Sequence, residues 1–444
     1  KNFQRFIFLC TLCVHAHAVH DPQIPKQNKR RAGSSRKIWA VLVAGSSGYY
    51  NYRHQADVCH AYQVVHSHGI PDEQIIVMMY DDIANNEQNP TQGIIINHPD
   101  GPDVYKCVLK DYTGKDVTPS NFLKVLTGDK EGLHGIGSGR ALESGPHDHV
   151  FVYFADHGAP GLIAFPTGEL MKKDLNNAIN TMYNKKFFAQ LVFYLEACES
   201  GSMFEKTLSD SMNVYATTAA NSEESSYACY FDEKRGTYLG DRYSVSWLED
   251  SDQENLDQET LHKQFKVAKK HTNQSHVMQY GNLSMSHEVV GIFQGERQSK
   301  VIIIIHRQYD DVPSPDVPIH ILKRKIAAAK NPESRQHLQL LLAKEFETRR
   351  RIEWTTRTIA NVASNENDEN SLVTSTMPAL INLECYTEAV KAFDSMCYEL
   401  DDYEYGYRQL FVFGNLCDNG IPTSKVVDSI RQTCRQHSFI ASII

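Results

Sequence analysis

A chain of 444 residues, 41% apolar and 22% charged, has a globular makeup, with length for about two or three domains around a well-buried core. Its formal net charge of −9, with no long basic stripe against it, argues against a nucleic-acid partner. Beyond the first residues no stretch approaches the roughly 18–20 apolar residues that cross a bilayer, so no membrane span is expected.

The N-terminus reads as an export signal over residues 1–18. Lys1 and Arg5 flank the apolar run "FIFLCTLCV" (6–14), and the small-residue pattern Ala16-His17-Ala18 follows. A short propeptide, 19–36, comes next. From 37 to about 300, apolar runs alternate with helical ones. "IWAVLVAG" (38–45), "QIIVMMY" (74–80), "HVFVYFA" (149–155), "QLVFYLEA" (190–197) and "NVYATTAA" (213–220) read as strands, and "QADVCHAYQVVHSHG" (55–69) as a helix. Continuous apolar strands separated by helices imply a parallel sheet buried on both faces, an α/β domain.

Beyond residue 300 the character changes. "VIIIIH" (301–306) reads as a buried strand or bound segment, and "DDVPSPDVP" (310–318) as a proline-rich linker within a linker region spanning 301–332. Residues 333–363 read as one long amphipathic helix, and "SNENDEN" (364–370) as a polar break. A separate helical domain, 333–444, carries Cys385, Cys397, Cys417 and Cys434. An exported chain oxidises such a set into two bridges, and spacing leaves three pairings open. Cys10 and Cys13 would leave with the signal. Cys59, Cys107, Cys198 and Cys229 lie far apart and read as free thiols, buried or reactive. Asn273-Gln274-Ser275 and Asn282-Leu283-Ser284 are glycosylation sequons that agree with export.

In a parallel sheet, ligands bind at the carboxyl ends of the strands. Strand 38–45 is followed by Asn51, Arg53 and His54, strand 149–155 by Asp156-His157-Gly158, and strand 190–197 by Cys198. Singly, a lone His or Cys is more often a structural residue. Together at corresponding strand ends they make a thiol nucleophile with an imidazole to ionise it. Gly158 and Gly201 would let backbone N–H groups approach a substrate carbonyl oxygen. Glu196, two residues before Cys198, should face the same side as the thiol and form an acidic wall of a specificity pocket. None of the 20 histidines pairs at metalloprotease spacing, so neither metal nor cofactor is expected.

At these residues the sequence resembles the legumain family, the asparaginyl endopeptidases among caspase-like cysteine proteases. The strings that carry the likeness are "YNYRHQAD" (50–57), "GIPDEQIIVMMYDDIA" (69–84), "FVYFADHGAPG" (151–161), "FYLEACESGSM" (193–203), "YATTAANSEESSYACYFDE" (215–233) and "TYLGDRYSVSWLEDSD" (237–252). The resemblance implies a caspase-like, mostly parallel sheet flanked by helices over 37–300, and an all-α, death-domain-like prodomain. It implies a zymogen activated at acid pH, cutting on the C-terminal side of Asn, and of Asp at acid pH, with peptide ligase activity besides.

By position, the resemblance makes Cys198 the nucleophile, His157 the general acid/base and Asn51 its orienting partner. Gly158 and the Cys198 N–H form the oxyanion hole, and Asp156 can form a succinimide linked to ligation. Arg53, His54, Glu196, Ser225, Ser226 and Asp241 line the pocket for the residue before the cut. One basic and one acidic wall suit a side-chain amide, which both accepts and donates. The bridges become Cys385–Cys417 and Cys397–Cys434. As partners the resemblance implies proteins with accessible Asn, the chain's own prodomain and cystatin-type inhibitors, in a lysosome, another acidic compartment or a lumen such as the gut. Two rivals are a catalytically silent homologue, against which Asn51, His157 and Cys198 all stand, and a membrane transamidase subunit, for which the tail "HSFIASII" is too short. In one departure, the only Asn of the linker, Asn331, precedes Pro332, which blocks proteolysis there. Processing is expected from another enzyme or at Asn361, Asn365, Asn367 or Asn370.

Overall fold

The chain opens with β1 (Ile38–Ala44), whose seven apolar residues are nearly all buried, then α1 (Tyr52–Ser67) and β2 (Ile75–Met78). The computed structural model describes residues 36–296, 310–364 and 379–441. The export signal and propeptide, the strand read at 301–306, and Asn365, Asn367 and Asn370 lie outside them. After α2 (Pro119–Thr127) and β3 (His149–Ala155), three short strands, β4 (Gly158–Ala159), β5 (Leu162–Ala164) and β6 (Glu169–Met171), make a small antiparallel sheet. Then come α3 (Lys172–Asn184), β7 (Gln190–Glu196), β8 (Val214–Thr218), β9 (Tyr227–Asp232) and β10 (Thr237–Asp241). Helices α4 (Arg242–Gln253) and α5 (Leu261–His271), strand β11 (Met278–Gly281) and the one-turn α6 (Gly291–Gln294) complete this half.

The main sheet runs β11-β8-β7-β3-β1-β2, all parallel except the antiparallel edge strand β11. Alternation along β1 divides the core. Ala40, Leu42 and Ala44 face α1, α4 and α5, while Trp39, Val41 and Val43 face α2 and α3. Register decides the rest. Ala44 pairs with Ala155, and Ala155 with Glu196, so β1, β3 and β7 end level and their following loops emerge side by side.

The segment read as a proline-rich linker is ordered and belongs to the α/β half. Its β12 (Val312–Pro313) pairs with β9, and α7 (Val317–Ala328) follows. The Asp310 carboxylate accepts the N–H groups of Tyr230 and Phe231 at 2.9 and 2.8 Å, and Asp311 pairs with the buried Arg242. A proline is tolerated because β12 is an edge strand.

Helix α8 (Pro332–Ser364) begins where Asn331 caps it, accepting the Glu333 N–H at 2.8 Å with proline in the first turn. Asn361, one of the processing candidates, lies inside this helix. α9 (Leu383–Met396), α10 (Phe411–Asp418) and α11 (Thr423–Ala441) pack on it. Bridges join Cys385 to Cys417 and Cys397 to Cys434. The core of this helical domain continues into Ala159, Leu162, Ala164 and Met171 of the small sheet, so it docks beside the level strand ends through apolar contact. Among the described residues no helix is long and apolar enough to cross a membrane.

The bridges close loops of 32 and 37 residues, for which chain entropy gives about 4 kcal/mol each. Replacing Cys397 and Cys434 together by serine should lower the melting temperature of the helical domain and leave the α/β domain's transition in place, as read by calorimetry.

Candidate active site

Cys198 follows the last β7 residue by two positions, and the chain there cannot continue as strand. The Asp156 N–H donates to Glu196 O at 3.0 Å, and Glu199 takes a left-handed φ of 48° into a single 3-10 turn. Gly158 is required opposite, because a Cβ there would lie 2.3 Å from Cys198 O. His157 and Cys198 thus open onto one groove of about 730 Å³, together with Asn51 and Ser225. Asn51 Oδ1 lies 2.9 Å from His157 Nε2, and its Nδ2 donates to Ser47 O at 3.1 Å, which fixes the amide's orientation. The thiol is held on another side: the Ser226 N–H donates to Sγ at 3.4 Å, with Ser226 Oγ at 3.7 Å.

Arg53, His54, Glu196 and Asp241 form a second, wholly buried cluster. Arg53 Nε donates to Asp241 Oδ1 at 2.9 Å, and its Nη2 donates to Ser314 Oγ at 2.7 Å. His54 Nδ1 lies 2.7 Å from Ser46 Oγ and 3.2 Å from Asp156 Oδ1. Burial, with Arg53 and His157 close by, pushes His54 well below the ordinary histidine value, so the basic wall is Arg53 rather than both residues. Glu196 takes the Ser244 N–H and hydroxyl at 3.0 and 2.9 Å on Oε2. It packs on the β7 face of Val192 and Tyr194, held toward α4 rather than lining the groove beside the thiol. Burial and Asp241 push its carboxyl well up. Glu196 Oε1 is buried without a hydrogen-bond partner, and Asp241 Oδ2 and Asp156 Oδ1 have only the His54 ring near them, at 3.5 and 3.2 Å.

Two readings from sequence change. The Gly201 N–H is spent on Ala220 O at 3.1 Å, and a Cβ there would meet Tyr280 Oη at 2.4 Å, so this glycine serves packing and is no oxyanion donor. Ser226 supports the sulfur, while Ser225 lines the groove. Sequence reasoning missed Ser314, in the supposed linker, and Glu404, which is 353 residues from Asn51. No local pattern marks either.

Glu404 comes from the helical domain. Its Oε2 lies 3.2 Å from His157 Nε2, and its Oε1 accepts from Asn51 Nδ2. Burial pushes the Glu404 carboxyl up, but the imidazolium and the hydrogen bonds from His157 and Asn51 outweigh it and hold it below the ordinary value. Burial pushes His157 down, and Glu404 and Asp156 more than reverse this. Burial and the neighbouring Glu199 push the Cys198 thiol up to about 12. With the helical domain docked, the imidazole is biased toward its charged form and the thiol toward its neutral form, both away from the states that proton transfer from sulfur needs.

Two groups among the described residues place three possible metal donors within 4.8 Å of one another. His54, Asp156 and His157 belong to the groove and its buried cluster. At Asp250, Glu254 and Glu259, Lys263 Nζ stands 3.0 Å from Glu254 and 3.3 Å from Glu259 and already supplies the counter-charge.

Residues 38–296 match the Peptidase C13 family, and residues 341–434 match the legumain prodomain. A legumain from Bos taurus is 53% identical over 403 residues, covering 90% of this chain and 93% of that protein. A vacuolar-processing enzyme delta-isozyme from Arabidopsis thaliana is 39% identical over 465 residues, covering 98% of each. A hemoglobinase from Schistosoma japonicum is 41% identical over 405 residues, covering 90% of this chain and 93% of that protein.

Removing the Glu404 charge should undo the protonation trap. In Glu404→Gln, His157 should titrate lower by NMR, and alkylation of Cys198 at pH 7 should quicken about tenfold, the worth of one charged hydrogen bond. Unchanged alkylation would mean that apolar docking alone closes the groove.

Proposed function

The chain belongs to the Peptidase C13 family and is a cysteine endopeptidase carrying a legumain-type prodomain; on that premise we propose that it cuts on the C-terminal side of Asn. The observation that carries the reading is one groove shared by His157, Asn51 and Cys198, with a prodomain carboxylate on the imidazole.

In the proposed mechanism Asn51 holds His157 through Nε2, leaving Nδ1 to take the Cys198 proton. The thiolate attacks the scissile carbonyl, and the N–H groups of Gly158 and Cys198 stabilise the oxyanion. His157 returns the proton to the leaving amine as the thioester forms. Water then resolves the thioester in hydrolysis, and an incoming amine does so in ligation. Asp156 carries the ligase reading: burial pushes its carboxyl up to about 8, and a neutral carboxyl next to the His157 N–H can close to a succinimide with loss of one water.

What supports Asn is the pocket's chemistry. The Arg53 guanidinium can donate to a side-chain carbonyl, and Asp241 Oδ2, with only the His54 ring near it at 3.5 Å, can accept from its NH2. An ionised Asp would place its second oxygen against that acceptor. Cleavage after Asp therefore belongs to acid pH.

The sign of the latch supports acid activation. Glu404 is depressed, so its contribution to docking is full above about 4.3, the ordinary carboxylate value, and is lost as pH falls through its lowered value. His157 is raised, so its contribution is full below about 6.5 and fades as pH rises through the raised value. Glu169 and the prodomain's Asp401, pushed up to about 8 and about 6 by burial and like charges, work the other way. Their protonation strengthens docking in acid, so release runs through Glu404. We place the enzyme in an acidic compartment of the secretory pathway, with glycans on Asn273 and Asn282. Asn331 caps α8 ahead of Pro332, which supports a processing cut elsewhere.

Ala-Ala-Asn and Ala-Ala-Asp reporters, assayed from pH 4 to 7 after acid treatment, test the specificity. The Asn reporter should be cut across the range and the Asp reporter only at its acid end, with Cys198→Ala at background. Equal rates at pH 7 contradict the reading, and a released prodomain that begins at Pro332 contradicts the processing expectation alone.

A further inference from the structure

Behind the specificity pocket a single file of hydrogen bonds runs inward from near the surface. Asp252 Oδ2 lies 2.8 Å from His60 Nε2, and His60 Nδ1 lies 2.7 Å from Asn97 Oδ1. Asn97 Nδ2 donates to Asp57 Oδ1 at 2.7 Å and to Leu239 O at 2.9 Å. Asp57 Oδ2 accepts the Asp241 N–H at 3.1 Å. Each donor's direction is fixed. Both Asn97 N–H groups are spent, so its Oδ1 must accept, and His60 Nδ1 must donate to it. The other ring nitrogen faces a carboxylate and donates too, which makes His60 an imidazolium.

Arg53 and Asp57 are four residues apart on one face of α1. Arg53 grips the Asp241 side chain, and Asp57 grips the same residue's backbone while its carboxyl, pushed well up by burial and Asp241, also meets the Asp241 carboxyl. Gly240 borders the link: a Cβ there would lie 2.4 Å from Val245 Cγ1, 3.0 Å from Asn97 Nδ2 and 3.1 Å from Asp57 Oδ1. Asp57 is fully buried, with its carboxylate oxygens spent on Asn97 Nδ2 and the Asp241 N–H. The two grips determine where Asp241 Oδ2 points, with His54 Nε2 beside it at 3.5 Å.

We propose that Asp57, held by Asn97 and His60, is a positioning residue for substrate recognition: it aims the Asp241 carboxylate at the side-chain amide of the residue before the cut. This rests on the Asn reading above. The consequence concerns binding of that amide more than the chemical step. Asp57→Asn keeps the size but turns an NH2 toward either the Asp241 N–H or the Asn97 NH2, donor against donor. Asn97→Ser removes the same link from its other side.

The test measures kcat and KM on the Asn and Asp reporters for acid-activated wild type, Asp57→Asn and Asn97→Ser. A thermal melt and stoichiometric alkylation of Cys198 establish folded, intact sites. Expected is a rise in KM for the Asn reporter of about tenfold or more, kcat within about threefold, and a narrowed preference for Asn over Asp. If Asp57→Asn does not fold, Asn97→Ser decides alone. Folded variants with unchanged KM, or with loss in kcat only, overturn the proposal while leaving the Asn reading intact. A wild type that ignores the Asn reporter overturns both.

Discussion

Three parallel strands that stop at the same level are the constraint on which everything else depends. With Ala44, Ala155 and Glu196 in register, the residues just beyond them have nowhere to go but one rim. The strands are buried on both faces and carry almost no polar side chains along their length, so the chemistry gathers where they end. Asn51, His157 and Cys198 come from positions up to 147 apart in sequence, yet neighbouring strands deliver them together. Gly158 matters for the same reason, since the second loop must pass close against the third.

The silence of the zymogen is then a matter of protonation as much as obstruction. Burial and Glu199 raise the thiol, and the prodomain's Glu404 raises the imidazole, so both shifts oppose the proton transfer. The apolar contact with β4–β6 has no such sensitivity to pH. The carboxylates around that contact also do not share one sign. Protonation of Glu169 and Asp401 favours the docked state, and only a carboxylate whose charge is favoured on docking weakens it as pH falls. Counting acidic residues at the interface would miss this; the direction of each shift decides.

How much of this the sequence disclosed follows from the range of the interactions. Strand identity, the strand-end loops and the long amphipathic helix are local, and hydrophobic periodicity displays them. The boundaries of β3, 149–155, could be read directly because the apolar run and the strand coincide. Glu404 could not, because its meaning comes from a domain docked across 353 residues. Gly201 misled because a glycine after a nucleophile looks the same whether its N–H is free or, as here, committed to Ala220. His54 misled because a histidine's charge depends on burial and on neighbouring cations, which sequence does not show.

The segment 310–328 shows how composition can hide membership. Its prolines suggested a hinge between domains, yet its side chains complete the protease. Asp311 neutralises buried Arg242, and Ser314 takes the third side of the Arg53 fork, whose other bonds reach Asp241 and Asn51. An enzyme cut ahead of this segment would keep its thiol and imidazole but lose an anchor of the buried Arg53. The same stretch also touches the prodomain, through Asp316 and Arg349 at 2.7 Å, so it is shared by both halves until processing. The α7–α8 junction after Ala328 is where the protease's share ends and the prodomain helix begins. A cut there, or later, separates inhibitor from enzyme without dismantling the pocket that the inhibitor had covered.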